Sequence, residues 1–271
     1  MNNRYIELSE REVREYQLDI LNELDRHCRE NNLKYFIIAG TLLGAVRHKG
    51  YIPWDDDIDV VMLRDDYEQF ITKYYNDAYY VSCYQKNKKH DLPYAKLCKS
   101  HTKMVEAVIT ECELGVNIDI FPIDNVPELE EDRQKMFKKI SFYRFILDMK
   151  GTTISKNRSL LKNNLLRVFQ IVFKPVKVSY LVRKIDEIAK SASQKTTYCA
   201  EVVWGCGEKE VVKRSVFSES VYLEFEGRRY IAPVGWDKWL SKRYGEYMKL
   251  PPIENQVTHH NYKAYKEKEL Q

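Results

Sequence analysis

The densest concentration of chemistry in the sequence is Asp55-Asp56-Asp57-Ile58-Asp59. Carboxylates crowded this closely repel one another unless a cation sits among them. From Asp57 to Met62 polar and apolar residues alternate. The alternation predicts a strand with Asp57, Asp59 and Val61 on one face and Ile58, Val60 and Met62 on the other. Two positions apart on a strand, the Cα atoms of Asp57 and Asp59 stand ~6.5–7 Å apart, from the rise per residue. That separation suits one shared divalent ion, or a pair of ions roughly 3.5–4 Å apart. Hard oxygen donors that share an ion with substrate phosphates suit Mg²⁺, with Mn²⁺ as the alternative. Asp119 lies in a second alternating run, Val116 to Phe121, and is the third carboxylate expected at this edge. Asp55 and Asp56 read as a solvated acidic loop, the usual state of a charge run.

Just upstream, Gly40-Thr41 falls between a short apolar strand, Tyr35 to Ala39, and a helix start at Leu42 to Val46. Backbone N–H groups at such a junction, with a hydroxyl beside them, form a phosphate site. Glycine allows the close approach. Arg47, His48 and Lys49 follow and supply positive charge for donor phosphates, or simply solvate a connecting loop.

Several elements must hold these residues. Ser9 and Glu12 have capping-box spacing ahead of a helix over residues 9–31, with Val13, Tyr16, Ile20, Leu21 and Leu24 at helical period. A helix capped by Asp65 runs to about Tyr75. Strands follow at Tyr79 to Tyr84 and Tyr94 to Cys98, and Pro122 is expected to close the Asp119 strand. Residues 128–184 read as helical with breaks at Gly151 and Pro175. A hairpin turns at Glu226-Gly227, a helix spans Trp236 to Tyr244, and a Pro251-Pro252 tail ends the pattern. The fold class is α/β (α+β): a mixed sheet flanked by helices, with a helical insertion and small C-terminal elements. Residues 1–127 are expected to form the catalytic core, 128–197 a basic helical region, and 198–271 a C-terminal lobe completing the site.

Composition narrows the function. Against 40 Asp and Glu there are 44 Lys and Arg, a net charge of +4, too small to argue for a nucleic-acid partner. The six cysteines form no C-x-x-C pair and no zinc spacing, which suits reduced thiols and a cytoplasmic setting. The polar start is no signal peptide, and no apolar run approaches the ~20 residues that span a bilayer. Charge is unevenly spread: Lys150, Lys156, Arg158, Lys162, Arg167, Lys174, Lys177, Arg183 and Lys184 occur between Met149 and Ile185 without a single acid. Leu160, Leu161, Leu165, Leu166, Val168, Phe169, Val172 and Phe173 are interleaved with them. Such a stretch lies on an anionic membrane at the inner face of the cell, or packs on the catalytic domain with a solvated basic face.

Gly40-Thr41-Leu42-Leu43-Gly44-Ala45-Val46-Arg47-His48, followed by Ile52-Pro53-Trp54-Asp55-Asp56-Asp57-Ile58-Asp59, closely resembles the LicD family of bacterial phosphocholine transferases, itself similar to fukutin-related transferases. The likeness extends through Tyr94-Ala95-Lys96-Leu97, through Asn117-Ile118-Asp119-Ile120-Phe121-Pro122-Ile123-Asp124, and through the tail from Tyr244-Gly245 to His259-His260. It implies a nucleotidyltransferase fold and transfer of phosphocholine from CDP-choline to a sugar of a teichoic-acid or other lipid-linked glycan precursor. It places metal ligands at Asp57, Asp59 and Asp119, the phosphate turn at Gly40 and Thr41, and a phosphate contact at Lys96.

The chemistry so implied is in-line displacement at a donor phosphorus with CMP leaving. Recognition of a quaternary ammonium calls for aromatic faces, and Trp54, next to the aspartates, is the first candidate. A glycosyltransferase with a D-x-D metal site is the rival enzyme, although its motif normally follows a complete nucleotide-binding half-domain. A non-catalytic membrane-surface module is the rival non-enzyme; unpaired buried carboxylates argue against it.

Overall fold

The computed structural model describes residues 4–193, 196–258 and 262–268. Its first half runs β1 (Tyr5–Glu7), α1 (Glu10–Glu30), β2 (Phe36–Ile37), α2 (Ala39–Arg47), β3 (Asp59–Leu63), α3 (Arg64–Lys73), β4 (Tyr79–Ser82), β5 (Ala95–Lys99), β6 (Thr102–Glu106) and β7 (Asn117–Val126). The helices α4 (Glu130–Gly151), α5 (Leu160–Val172) and α6 (Val178–Ala189) come next. The chain then forms β8 (Tyr198–Glu201), β9 (Val212–Lys213), β10 (Ser220–Phe225), β11 (Arg228–Pro233), α7 (Trp236–Tyr244) and β12 (Tyr262–Glu267). The class is the mixed α/β arrangement expected from the pattern.

Local chemistry explains the main elements. Ser9 caps α1 through a complete capping box with Glu12, and Val13, Gln17, Ile20, Leu21, Leu24 and Cys28 form its buried stripe. The β10–β11 hairpin turns at Glu226 and Gly227, both at positive φ (51° and 74°), as a two-residue turn matched to strand twist requires.

The central sheet has the order β2-β3-β7-β5-β4, with β8 and then β9 added along the far half of β7. Strand β3 runs parallel to β7; the other pairings are antiparallel. Ile58, Val60, Val61 and Met62 are all fully buried, so both faces of β3 are covered and its alternation disappears after Asp59. Beneath the sheet the Arg64 guanidinium grips Asp124 of β7 at 2.7 and 2.5 Å and Asp186 of α6 at 2.9 Å. Tyr84 completes the group by donating to Asp186 at 2.7 Å. This buried network ties the helical insertion to the strand that carries Asp119.

Three expectations are corrected. Asp57 lies in the irregular residues before β3, which begins at Asp59. Leu63, not Asp65, is the N-cap of α3, and Asp65 sits in its first turn, where negative charge suits the helix dipole. Pro122 does not close β7, which continues to Val126. On one edge of β7 the partner changes from β5, ending at Ile120, to β8, starting at Ile123. A proline is tolerated near such a gap in the ladder. The pattern also gave no sign of the three-stranded sheet β1-β12-β6, whose strands carry few buried residues.

Candidate active site

The parallel pairing of β3 and β7 makes Asp59 and Asp119 register partners. The Asp119 N–H donates to the Ile58 carbonyl at 2.9 Å. The start of β3 is pinned from the other side: the Asp59 N–H donates to the Thr41 hydroxyl at 2.8 Å, and the Ile38 N–H donates to the Asp59 carbonyl at 3.1 Å. Thr41 is buried and its hydroxyl holds the strand entrance. On the opposite edge of β7, Lys96 is the register partner of Asp119. Its Nζ lies 2.5 Å from Asp119 Oδ1 and 3.1 Å from Asn117 Oδ1.

The acidic loop is built by its backbone. Arg14 and Gln17, one helical turn apart on α1, donate to the carbonyls of Asp55 and Asp56 at 2.8 and 2.9 Å. Tyr262 of β12 reaches the Asp56 carbonyl at 3.4 Å. Among the described residues, the three carboxylates whose oxygens come within 4.8 Å of one another are Asp55, Asp56 and Asp57. All three are half-buried, so Asp55 and Asp56 are not the solvated loop that the charge run suggested. Asp59 and Asp119 lie outside that group: Asp119 is paired with Lys96, and Asp59 feels the charges of Asp57, Asp119 and Asp55.

Gly40 lies in the first turn of α2, and a Cβ there would stand 2.2 Å from Asp55 Oδ2. The glycine thus admits a carboxylate against the positive end of α2, the position read from sequence as a phosphate site. The preceding Ala39 has φ 49°, a costly backbone state for a residue with a side chain and one common at functional sites.

Charge is strongly frustrated here. Burial, then Asp57, Asp119 and Asp55, push the Asp59 carboxyl well above the usual carboxylate range, and Lys96 only partly opposes them. Burial alone would lower Lys96, but the charge and hydrogen bond of Asp119, with Glu106 and Cys98 adding to them, hold the ammonium above its ordinary value. A cluster of hard oxygen donors whose repulsion one lysine does not cancel has the donor chemistry of a Mg²⁺ site.

Asp56, Asp57, Lys96 and Asp119 open onto a cavity of about 930 Å³. Its far wall comes from the helical insertion, including Leu147, Asp148, Gln170, Lys174 and Lys177. Tyr94 and Trp204 also line it, with ring centroids 5.8 Å apart and an interplanar angle of 61°. Behind them Arg144 covers the Trp204 ring at 4.6 Å and donates to the Gly205 carbonyl at 2.8 Å. His90, fully buried, accepts from or donates to Ser82 at 2.9 Å and meets the Tyr94 carbonyl at 2.8 Å. The carbonyl can only accept, so Nε2 carries the proton and Nδ1 accepts from the serine hydroxyl.

Of the residues expected at the site, Gly40, Thr41, Arg47, His48, Trp54 and Asp59 are not among those that line this cavity. Arg47 donates to the Tyr247 carbonyl at 2.7 Å, and His48 meets Trp54 edge to face at 6.3 Å. His259 and His260 lie outside the described residues. Sequence reasoning missed Arg14, Gln17, Trp204 and Tyr262; the one available signal was Gln17, a polar residue in the middle of an apolar helical stripe.

Residues 32–157 match the family model described as LicD/FKTN/FKRP, nucleotidyltransferase domain, and this span holds every aspartate of the site, Gly40 and Lys96. That match, with the relative that follows, makes the chain a transferase of a phosphate-containing group. Aligned over 270 residues, 93% of this chain and 97% of the relative, the sequence is 30% identical to lipopolysaccharide cholinephosphotransferase LicD of Haemophilus influenzae. Over 72 residues, 23% of the chain, it is 39% identical to an uncharacterised protein of Rickettsia typhi, 23% of whose length is covered. The chain belongs to the LicD family.

Proposed function

We propose that the protein moves phosphocholine from CDP-choline to a sugar hydroxyl of a lipid-linked cell-surface glycan, a lipopolysaccharide or teichoic-acid precursor. The observation that carries this reading is the adjacent pair Asp59 and Asp119, with Lys96 at its side, beside a cavity large enough for a nucleotide donor and a sugar together. The name of the Haemophilus influenzae relative supports the phosphocholine group and an acceptor on lipopolysaccharide.

Asp57, Asp59 and Asp119, with Asp55 and Asp56 contributing, are the residues that would hold Mg²⁺ or Mn²⁺. The bound ion supplies charge stabilisation at the donor pyrophosphate. The acceptor oxygen attacks the phosphorus next to choline, the anhydride P–O bond breaks, CMP leaves, and the hydroxyl proton passes to Asp119 where that carboxylate is not holding an ion. Lys96 keeps Asp119 oriented and faces the phosphates. The first turn of α2, from Gly40 and Thr41, directs partial positive charge toward the site. Tyr94 and Trp204 offer the aromatic faces for the trimethylammonium group, in place of Trp54. Among the described residues no helix is long and apolar enough to cross a membrane. Action at the inner face of the cell membrane is part of this proposal.

Incubation with CDP-choline, Mg²⁺ and candidate glycans, read by CMP release, tests the proposal. Release dependent on both the glycan and the divalent ion is expected. Release from a nucleotide-sugar but not from CDP-choline would sink it.

A further inference from the structure

Helix α5 contains no acidic residue, and none of the described residues covers its outer face. Leu160 is 82% exposed, Ile171 71% and Leu161 70%, and Leu165, Val168 and Val172 are each more than half exposed. At about 100° per residue these six side chains fall within a single arc of roughly 140°, interrupted only by Asn164. Arg167 lies just beyond one border of the arc and Lys162 beyond the other. Long basic side chains in those places extend sideways while the apolar arc faces one plane.

The inner side of the helix is well anchored. Leu166 and Asn163 are buried, Asn163 donates to the Ser155 carbonyl at 2.8 Å, and Phe169 packs against Phe173 and Phe145 at 4.3 and 5.6 Å. The apolar arc is therefore a fixed surface on a folded element. Phe142 and Phe145 of α4, both more than half exposed, continue the apolar surface of the insertion.

We propose that this face docks on an anionic lipid bilayer, with the apolar arc in the acyl–headgroup boundary and the flanking bases against lipid phosphates. Charge decides the occupant. The bases beside the arc, Lys162 and Arg167 on α5 with Lys156 and Arg158 just before it, have no acid among them, so a bilayer rich in anionic headgroups attracts this face and a second copy of it is repelled. The opposite side of α5 contributes Gln170 to the cavity wall, with Lys174 just beyond its end. Docking would hold the cavity within about one helix diameter, ~10 Å, of the lipid surface. Resting on the proposed function, this brings a sugar carried on a membrane lipid within reach of the aspartates.

The test uses the full chain with vesicles of phosphatidylcholine alone and of phosphatidylcholine with phosphatidylglycerol, read by co-sedimentation at low and high salt. Salt-sensitive binding to the anionic vesicles is expected, weakened at least ~10-fold by the triple change Leu161→Asp, Leu165→Asp, Val168→Asp. These positions are exposed, so far-ultraviolet circular dichroism and Tm should be unchanged. Absence of binding, equal binding to neutral vesicles, or binding unaffected by the triple change would overturn the proposal. So would a concentration-dependent dimer that the same changes dissolve. CMP release with a soluble acceptor keeps the two readings apart: it should be unchanged in the triple variant, and its failure in the unaltered protein would leave the docking surface standing.

Discussion

Asp59 and Asp119 occupy equivalent positions on neighbouring parallel strands, and the Asp119 amide is hydrogen-bonded to the residue just before Asp59. Neither backbone position can move from the other without breaking the sheet. The backbone thus enforces an electrostatic conflict that side-chain rotation relieves only in part. Neutralising Asp59 should separate stability from function. Asp59→Asn is expected to raise Tm in metal-free buffer, to abolish the Tm increase on adding Mg²⁺, and to cut CMP release by roughly 10²–10³-fold. A variant with near-normal turnover would remove Asp59 from the reaction.

Lys96 answers the opposite question. It is buried between Asp119 and Asn117, so Lys96→Met leaves Asp119 without its cation. Breaking such a pair from one side costs about 3 kcal/mol. Denaturant titration should show that loss without divalent ions and a partial recovery with Mg²⁺. Recovery is the informative arm, because a purely structural lysine would be indifferent to the metal.

Gly40 and Asp55 form a steric pair. Gly40→Ala would drive a methyl group into the Asp55 carboxylate. The single change is expected to lower activity more than ten-fold and to destabilise the fold. In an Asp55→Ser background the same change should cost roughly 1–3 kcal/mol less, the signature of direct coupling. Additive effects in the double-mutant cycle would show that the close approach is unimportant.

The aromatic wall makes a choice between two tryptophans. Trp204 lines the cavity beside Tyr94, whereas Trp54 packs edge to face with His48 outside the lining. Trp204→Ala should raise KM for CDP-choline by about ten-fold with a smaller effect on kcat. Trp54→Ala should change KM less. The reverse order would return the choline contact to Trp54.

His90 gives the fold a pH dependence of known sign. Burial holds it neutral, below its ordinary pKa, between Ser82 and the Tyr94 carbonyl. The unfolded chain binds the proton first, so stability falls as pH drops through about 6.5. His27 is depressed by burial in the same direction. The His90 contribution to Tm should therefore fall between about pH 7.5 and pH 5.5, read as the difference between the unaltered protein and His90→Asn, because the raised carboxyls of Asp59 and Glu201 gain stability over the same fall. An unaltered slope would exclude His90 as a source.

How much of this could be read from residue order depended on range. Helix α1 with its capping box, the Glu226-Gly227 turn and α7 were legible because their determinants lie within a few residues of one another. Asp59 and Asp119 were legible as types in alternating runs, but their adjacency depends on a parallel pairing between segments sixty residues apart, which no local period encodes. The grouping of Asp55, Asp56 and Asp57 was hidden because it arises from an irregular loop held by Arg14 and Gln17. Strands β1, β6 and β12 were missed because most of their side chains remain outside the core, which erases the alternation that marks a strand.

Strand β12 lies between β1 and β6, two segments made much earlier in synthesis, and its Tyr262 helps to hold the Asp56 carbonyl. On a ribosome, every aspartate of the site emerges long before this strand does. The nascent polypeptide would therefore carry its reactive acids on an unfinished shelf, and catalytic competence would arrive only once residues 262–267 had left the exit tunnel and slotted into place.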